Sequence, residues 1–167
     1  IRDPDGDWSS DVCSSICAIW LGCETSLAAL ADLSGAAPVV AINHTAPTLD
    51  YLLHVIRYDS THGTSPHADE LSIEDGALLF RGRRIALFSE RDPTLIDWSS
   101  VGAEYIVEST GKMKTVALGR QHIDSGKAKK VIISAPSKDA KTFVYGVNHE
   151  EYVSNSSQEI GRASCRE

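Results

Sequence analysis

The sequence has no excess of positive charge. Its 16 Lys and Arg are outweighed by 23 Asp and Glu, for a formal net charge of −7. A protein that grips a phosphate backbone presents a basic face, so this balance argues against a general nucleic-acid binder. Two basic clusters exist, RGRR (Arg81 to Arg84) and KAKK (Lys127 to Lys130), but both are short and read as solvated turn and helix-end charges. No apolar run approaches the ~20 residues of a membrane span, so no membrane partner is expected. The first residues are acidic and polar, unlike a secretory signal, and a cytoplasmic location is the default. Cysteine is scarce. Cys13, Cys17 and Cys23 crowd one end and Cys165 stands near the other. Their C-x₃-C and C-x₅-C spacings lack a second ligand pair, so free thiols are expected and no metal. No carboxylate pair suggests glycosidase-type acid–base work, and Glu150-Glu151 reads as an acidic helix start.

What is present is a regular middle. VVAIN (Val39 to Asn43) is a β-branched run without polar alternation, the pattern of a strand covered on both faces. Thr48 can cap a following helix whose apolar face is Leu49, Leu52, Leu53 and Ile56. From Glu70 to Glu90 the turn signals E-D-G and R-G-R separate short strand-like runs, which predicts a small antiparallel meander. AEYIVES (Ala103 to Ser109), VIISAP (Val131 to Pro136) and TFVYGVN (Thr142 to Asn148) read as further buried strands. Lys112 to Ser125 has helical character and ends near Gly126, with lysines toward its end. Alternating strands and helices call for an α/β fold with a mostly parallel sheet and right-handed crossovers. In such sheets a ligand sits at the carboxyl ends of the strands. The polar residues there are Asn43-His44, Glu108-Ser109-Thr110 and Ser134-Ala135-Pro136. Each set is either an ordinary strand-end loop or part of a nucleotide cleft.

The motifs VVAIN, RYDSTHG (Arg57 to Gly63), SERDP (Ser89 to Pro93), GAEYIVESTG (Gly102 to Gly111), KKVIISAPSKDA (Lys129 to Ala140) and VYGVNHEEY (Val144 to Tyr152) stand in order along the chain. Together they resemble the amino-terminal, NAD-binding half of phosphorylating glyceraldehyde-3-phosphate dehydrogenase, from about Leu27 to Asn155. The resemblance implies a Rossmann-type, doubly wound domain with a small antiparallel meander insertion, present as a partial domain. It also implies NAD as cofactor, tetrameric full-length relatives, and oxidative phosphorylation of glyceraldehyde 3-phosphate. Matched residue by residue, Asn43 would lie beside the adenosine ribose and Arg91 near the adenine. Ser109 and Thr110 would line the nicotinamide side. An erythrose-4-phosphate dehydrogenase-like relative, or a non-catalytic nucleotide-binding or interaction module, is the alternative.

The chain departs from that family at three places. The G-x-G-x-x-G phosphate turn is expected near Ala18 to Glu24, where AIWLGCE offers one glycine. ICAIWLGC can still add a strand where the family's first one belongs. At the ribose reader, His44 replaces an acidic side chain, so NADP is possible beside NAD. Third, Ala163-Ser164-Cys165 imitates the family's nucleophile motif but lacks the T-T-N that follows it there. Cys165 is therefore read as a mimic, leaving this portion without a catalytic residue.

Ile160 to Glu167 and Asp7 to Ser15 read as frames of sequencing adapters. The expected division is thus a non-native or artefactual leader (1–26), an NAD(P)-binding Rossmann domain (27–158, first strand and glycine turn lost) and an artefactual tail (159–167) without a partner strand. Among the histidines, His149, His62 and His54 read as structural, and His67 and His122 as facing solvent.

Overall fold

A computed structural model describes residues 38–59, 63–144 and 146–152, with the backbone alone at 18–20 and 160–164. Cys13, Cys17, Cys23, Cys165 and His62, on which the sequence reading touched, lie outside the described residues, as does the segment 21–37.

Nine strands form one sheet. Its parallel part comprises β1 (Ala18–Trp20), β2 (Ala41–Asn43), β8 (Tyr105–Glu108), β9 (Lys130–Ile133), β10 (Thr142–Val144) and β11 (Ile160–Ser164). The meander is β5 (Leu71–Glu74), β6 (Ala77–Phe80) and β7 (Arg83–Phe88). The order across the sheet is β10-β11-β9-β8-β1-β2-β7-β6-β5. A two-stranded ribbon, β3 (Tyr58–Asp59) with β4 (Gly63–Thr64), stands apart.

The burial of β2 follows from strand geometry. Successive side chains point to opposite faces, and Ala41 and Ile42 are both fully buried but in different clusters. Ile42 joins Leu52, Ile56, Leu71, Leu78 and Ile85. Leu52 and Ile56 come from helix α1 (Leu49–Arg57), whose amino end is closed as expected: the Thr48 hydroxyl accepts the Tyr51 amide at 3.2 Å. Ala41 joins the second cluster, where Ile106, Val131 and Ile133 of the sheet meet Ile96 and Trp98. A strand covered on both faces needs no polar alternation, which is why VVAIN has none.

The meander forms where the turn signals place it. Asp75 and Gly76, and likewise Arg81 and Gly82, have positive φ in pairs, the backbone demanded by a tight two-residue hairpin. β7 serves two partners. Arg83 to Ile85 pair antiparallel with β6, and Ala86 to Phe88 pair parallel with β2. The insertion is therefore stitched to the main sheet through one continuous strand.

Four expectations need correction. The helix foreseen over Lys112 to Ser125 is two short pieces, α2 (Val116–Gly119) and α3 (Gln121–Asp124). Thr115 caps the first by accepting the Leu118 amide, so the helix starts after Lys112 and Lys114, and the later lysines lie beyond its end. β10 is only half-buried because it forms an outer edge of the sheet. The tail segment Ile160–Ser164, expected to lack a partner, pairs parallel with both β9 and β10. Ala18–Trp20, placed by the expected division in a leader with the first strand counted as lost, pairs parallel with β2 and β8 in the first-strand position. Pairing uses backbone N–H and C=O groups, which side-chain patterning does not report.

Candidate functional site

The parallel strands end at one level. Along the sheet, Phe88, Asn43, Trp20, Glu108 and Ile133 are register partners in turn. Neighbouring strands lie about 4.8 Å apart, which sets the carboxyl ends of β2 and β8 about 10 Å from each other across β1. The chain leaves β1 toward β2 on one side and returns with β8 on the other. That reversal is a topological switch point, where open α/β sheets form their ligand crevice.

On the β2 side the structure brings Asn43, His44 and the Glu90-Arg91 segment together. Asn43 is fully buried. Its Nδ2 donates to the Glu90 carbonyl and its Oδ1 accepts the Glu90 amide, both at 2.8 Å. The carboxamide thus works as a bracket that fastens the loop after β7 to the end of β2. Only its remaining N–H and lone pair are left for any other group.

His44 is also buried, and its backbone amide donates to the carbonyl of Phe88, the last residue of β7, at 2.9 Å. Its Nδ1 accepts the Ala46 amide at 3.2 Å. The neutral ring therefore carries its proton on Nε2. Burial pushes its pKa below the usual value, favouring that neutral form.

Arg91 is exposed, and its guanidinium has no ion pair or hydrogen bond among the described residues. The turn beyond it is held by Asp92, whose carboxylate accepts the Thr94 hydroxyl and amide. Those bonds hold Asp92 below the usual carboxylate range.

Across β1, Ser109 and Thr110 follow β8. Ser109 is buried and Thr110 half-buried. The Thr110 amide donates to Glu108 Oε1 at 2.8 Å and its hydroxyl donates to the same oxygen. The Lys112 amide in turn reaches Thr110 Oγ1 at 3.2 Å. Ser134, after β9, donates to the Glu108 carbonyl at 3.2 Å and ties the two strand ends together.

Trp98, which sequence reasoning passed over, and His122, which it placed facing solvent, lie beneath this loop. His122, expected at the surface, is fully buried: its Nδ1 is 3.2 Å from Trp98 Nε1 and its Nε2 is 3.4 Å from Glu108 Oε2. The physical reason is its helical face: His122 lies one turn after buried Gly119, and both its ring nitrogens find polar partners inside. His67 is half-buried against Glu70 and Arg81. A signal for Trp98 existed, since a buried indole seeks an acceptor for its N–H. The polar DWSS context hid it.

Gly126 permits the packing. A Cβ there would lie 2.4 Å from Trp98 Cδ1 and 2.7 Å from the His122 carbonyl oxygen. His149 is placed as a loop-structuring residue, with Nδ1 accepting the Gly146 amide at 3.0 Å.

Among the described residues, no three His, Cys, Asp or Glu side chains converge as metal ligands, and no helix is long and apolar enough to cross a membrane. The polar groups fit a nucleotide-type ligand in chemistry. They offer a free guanidinium, an imidazole N–H and strand-end hydroxyls at a switch point, on two sides of one strand.

Comparison with known proteins gives the same direction. Residues 25–116 match the family described as glyceraldehyde 3-phosphate dehydrogenase, NAD binding domain. The chain is 49% identical over 127 residues to glyceraldehyde-3-phosphate dehydrogenase of Danio rerio, covering 76% of this chain and 37% of that protein. It is 46% identical over 135 residues to the Schistosoma mansoni enzyme, covering 81% and 39%. The Mycosarcoma maydis enzyme is 46% identical over 129 residues, covering 77% and 37%. The chain thus spans less than two-fifths of the length of these curated relatives. With a Rossmann-type α/β sheet, polar strand ends at its switch point and a domain match over residues 25–116, the chain belongs to the glyceraldehyde 3-phosphate dehydrogenase family and carries the family's NAD-binding domain.

Proposed function

We propose that this chain is the cofactor-binding portion of an NAD-dependent phosphorylating dehydrogenase acting on glyceraldehyde 3-phosphate in glycolysis, in the cytoplasm, within a homotetrameric whole enzyme. The observation that carries the reading is the common level of the β2, β7 and β8 carboxyl ends on either side of β1. His44 and Arg91 hold the adenosine half. Ser109 and Thr110 meet the nicotinamide half. When bound, NAD accepts the hydride of the oxidised aldehyde. The contribution of the residues described here is to orient and hold it. Asn43 acts one step back, fixing the Glu90-Arg91 segment beside His44. We assign no catalytic role to Cys165, so this portion by itself turns over no aldehyde.

His44 shapes the choice between NAD and NADP. An acidic residue here would accept both ribose hydroxyls and repel a 2′-phosphate. With Nδ1 occupied by Ala46, the imidazole offers one N–H donor and no charge. Neither hydroxyl finds a carboxylate, and a 2′-phosphate meets no repulsion. NAD and NADP dissociation constants should therefore lie within roughly tenfold of one another, a gap of about 1.4 kcal/mol. Calorimetric titration of both nucleotides tests this. A preference for NAD above a hundredfold would refute the role given to His44, and binding of neither would refute the cofactor reading itself.

A further inference from the structure

Glu108 closes β8 at a place where the strand pattern predicts an apolar residue. Ile106 is fully buried on the same face, and Val131 and Ile133 beside it in β9 are buried too. Glu108 itself is 1% exposed. A carboxylate so placed is strongly disfavoured unless donors surround it.

Donors do surround it, and they fix what kind of group can stand here. Thr110 gives one carboxylate oxygen both its amide, at 2.8 Å, and its hydroxyl. His122 Nε2 lies 3.4 Å from the other oxygen. The tautomer of that ring is set from behind. The Trp98 indole N–H can only donate, so His122 Nδ1 accepts it at 3.2 Å and the neutral ring carries its proton on Nε2. Both oxygens of Glu108 are therefore acceptors, and the buried relay from Trp98 ends at Thr110. A carboxamide of equal size would have to turn its NH₂ toward either the Thr110 amide or the His122 N–H, donor against donor. The Glu108 main chain makes a separate tie: its carbonyl accepts the amide and the hydroxyl of Ser134, at 3.0 and 3.2 Å.

We propose that Glu108 is a positioning residue whose all-acceptor carboxylate presets the loop after β8 for the dinucleotide, and that Trp98, through the tautomer of His122, makes a carboxylate the only group of that size that fits. The inference rests on the dinucleotide reading above and holds for whichever half of the cofactor meets this loop. Preorganised polar groups bind without the ordering cost that a loose loop would incur.

The test measures NAD affinity by calorimetry on the full chain and its variants, with amide hydrogen exchange at Thr110 and Ser134 in the ligand-free chain. Glu108→Gln should weaken NAD roughly tenfold, the scale of one buried polar group left without its partner. Thr110 exchange should quicken in this variant, whereas Ser134, tied to the same residue through the main chain, should keep its rate. Trp98→Phe frees His122 to carry its proton on Nδ1, so that Nε2 can accept from the new carboxamide. Alone it should leave NAD affinity within about twofold of the parent. Added to Glu108→Gln, it should recover most of the lost affinity and slow Thr110 exchange again, a strong departure from additivity. If Glu108→Gln alone does not fold, a folded, NAD-binding double variant is the same rescue, and failure of that rescue overturns the proposal. Equal quickening at Thr110 and Ser134 would reduce Glu108 to general core support and overturn it. Parent-like NAD affinity in Glu108→Gln, or losses that simply add in the double variant, would overturn it as well. Absence of NAD binding by the unsubstituted chain would overturn the dinucleotide reading and this proposal with it, whereas unaltered Thr110 exchange in Glu108→Gln would overturn the proposal alone.

Discussion

Replacing Asn43 by Ala removes a single carboxamide that joins two loops 47 residues apart in sequence. Two 2.8 Å hydrogen bonds to the Glu90 backbone disappear with it. At about 1 kcal/mol each the loss is about 2 kcal/mol. No further penalty is due for the freed Glu90 groups, because Glu90 is exposed and water can reach them. For a chain of this size that destabilisation lowers Tm by about 4–8 °C. Urea unfolding followed by circular dichroism measures it directly. Asn43→Asp sharpens the test. The carboxylate can still accept the Glu90 amide, but its other oxygen then faces the Glu90 carbonyl at a fully buried position. Two acceptors with no proton between them repel, so Asn43→Asp should be at least as unstable as Asn43→Ala at neutral pH. An Ala variant within about 0.5 kcal/mol of the parent, the usual scatter of surface substitutions, would refute the bracket.

Gly126→Ala should destabilise by about 1–3 kcal/mol in the same urea assay, because its methyl would press into the Trp98 ring and the His122 carbonyl; a neutral result would show that the Trp98 site is loosely packed. Thr48→Ala should cost about 1 kcal/mol by uncapping α1, and Thr48→Ser should restore most of it. His44 sets a pH dependence: its pKa in the fold lies below the ordinary 6.5, so above that value the unfolded and folded chains are both neutral and the stabilisation is whole. As pH falls below 6.5 the unfolded chain takes the proton first, and stability is lost down to the folded pKa. Urea midpoints at pH 7.5 and pH 5.5 should converge in His44→Gln relative to the parent, and an identical pH effect in both would contradict the assignment.

Much of the parallel core was legible because burial on both faces leaves an uninterrupted β-branched run, as at VVAIN, and because tight hairpins need particular residues, as at Asp75-Gly76. The meander and the capped helix α1 follow from such local rules. The division of Lys112 to Ser125 into two helices was not legible, since Arg120 continues helical backbone and no proline marks the break. The candidate site divides in the same way. His44, Ser109 and Thr110 stand at strand ends, where the strand pattern points to a ligand, whereas Arg91 lies in the loop beyond β7 and came only from the family resemblance. The bracket at Asn43 depends on a partner 47 residues away, and the relay under Thr110 joins Trp98, Glu108 and His122 from three separate elements. No local periodicity encodes such meetings. The pairing of Ile160–Ser164 escaped for a related reason, being a matter of backbone hydrogen bonds rather than side-chain pattern.

The central claim is that the strand ends on both sides of β1 bind one dinucleotide. Titrating NAD into isotope-labelled chain and following backbone amide shifts tests it at residue level. The account predicts saturable, one-to-one shifts at His44, Arg91, Ser109 and Thr110. A dissociation constant of roughly 10⁻⁴–10⁻³ M is expected, since AIWLGCE lacks the glycine turn and about two charge-assisted phosphate bonds with it. Saturating shifts confined to one side of β1, or no saturable shift at these four residues, would contradict it.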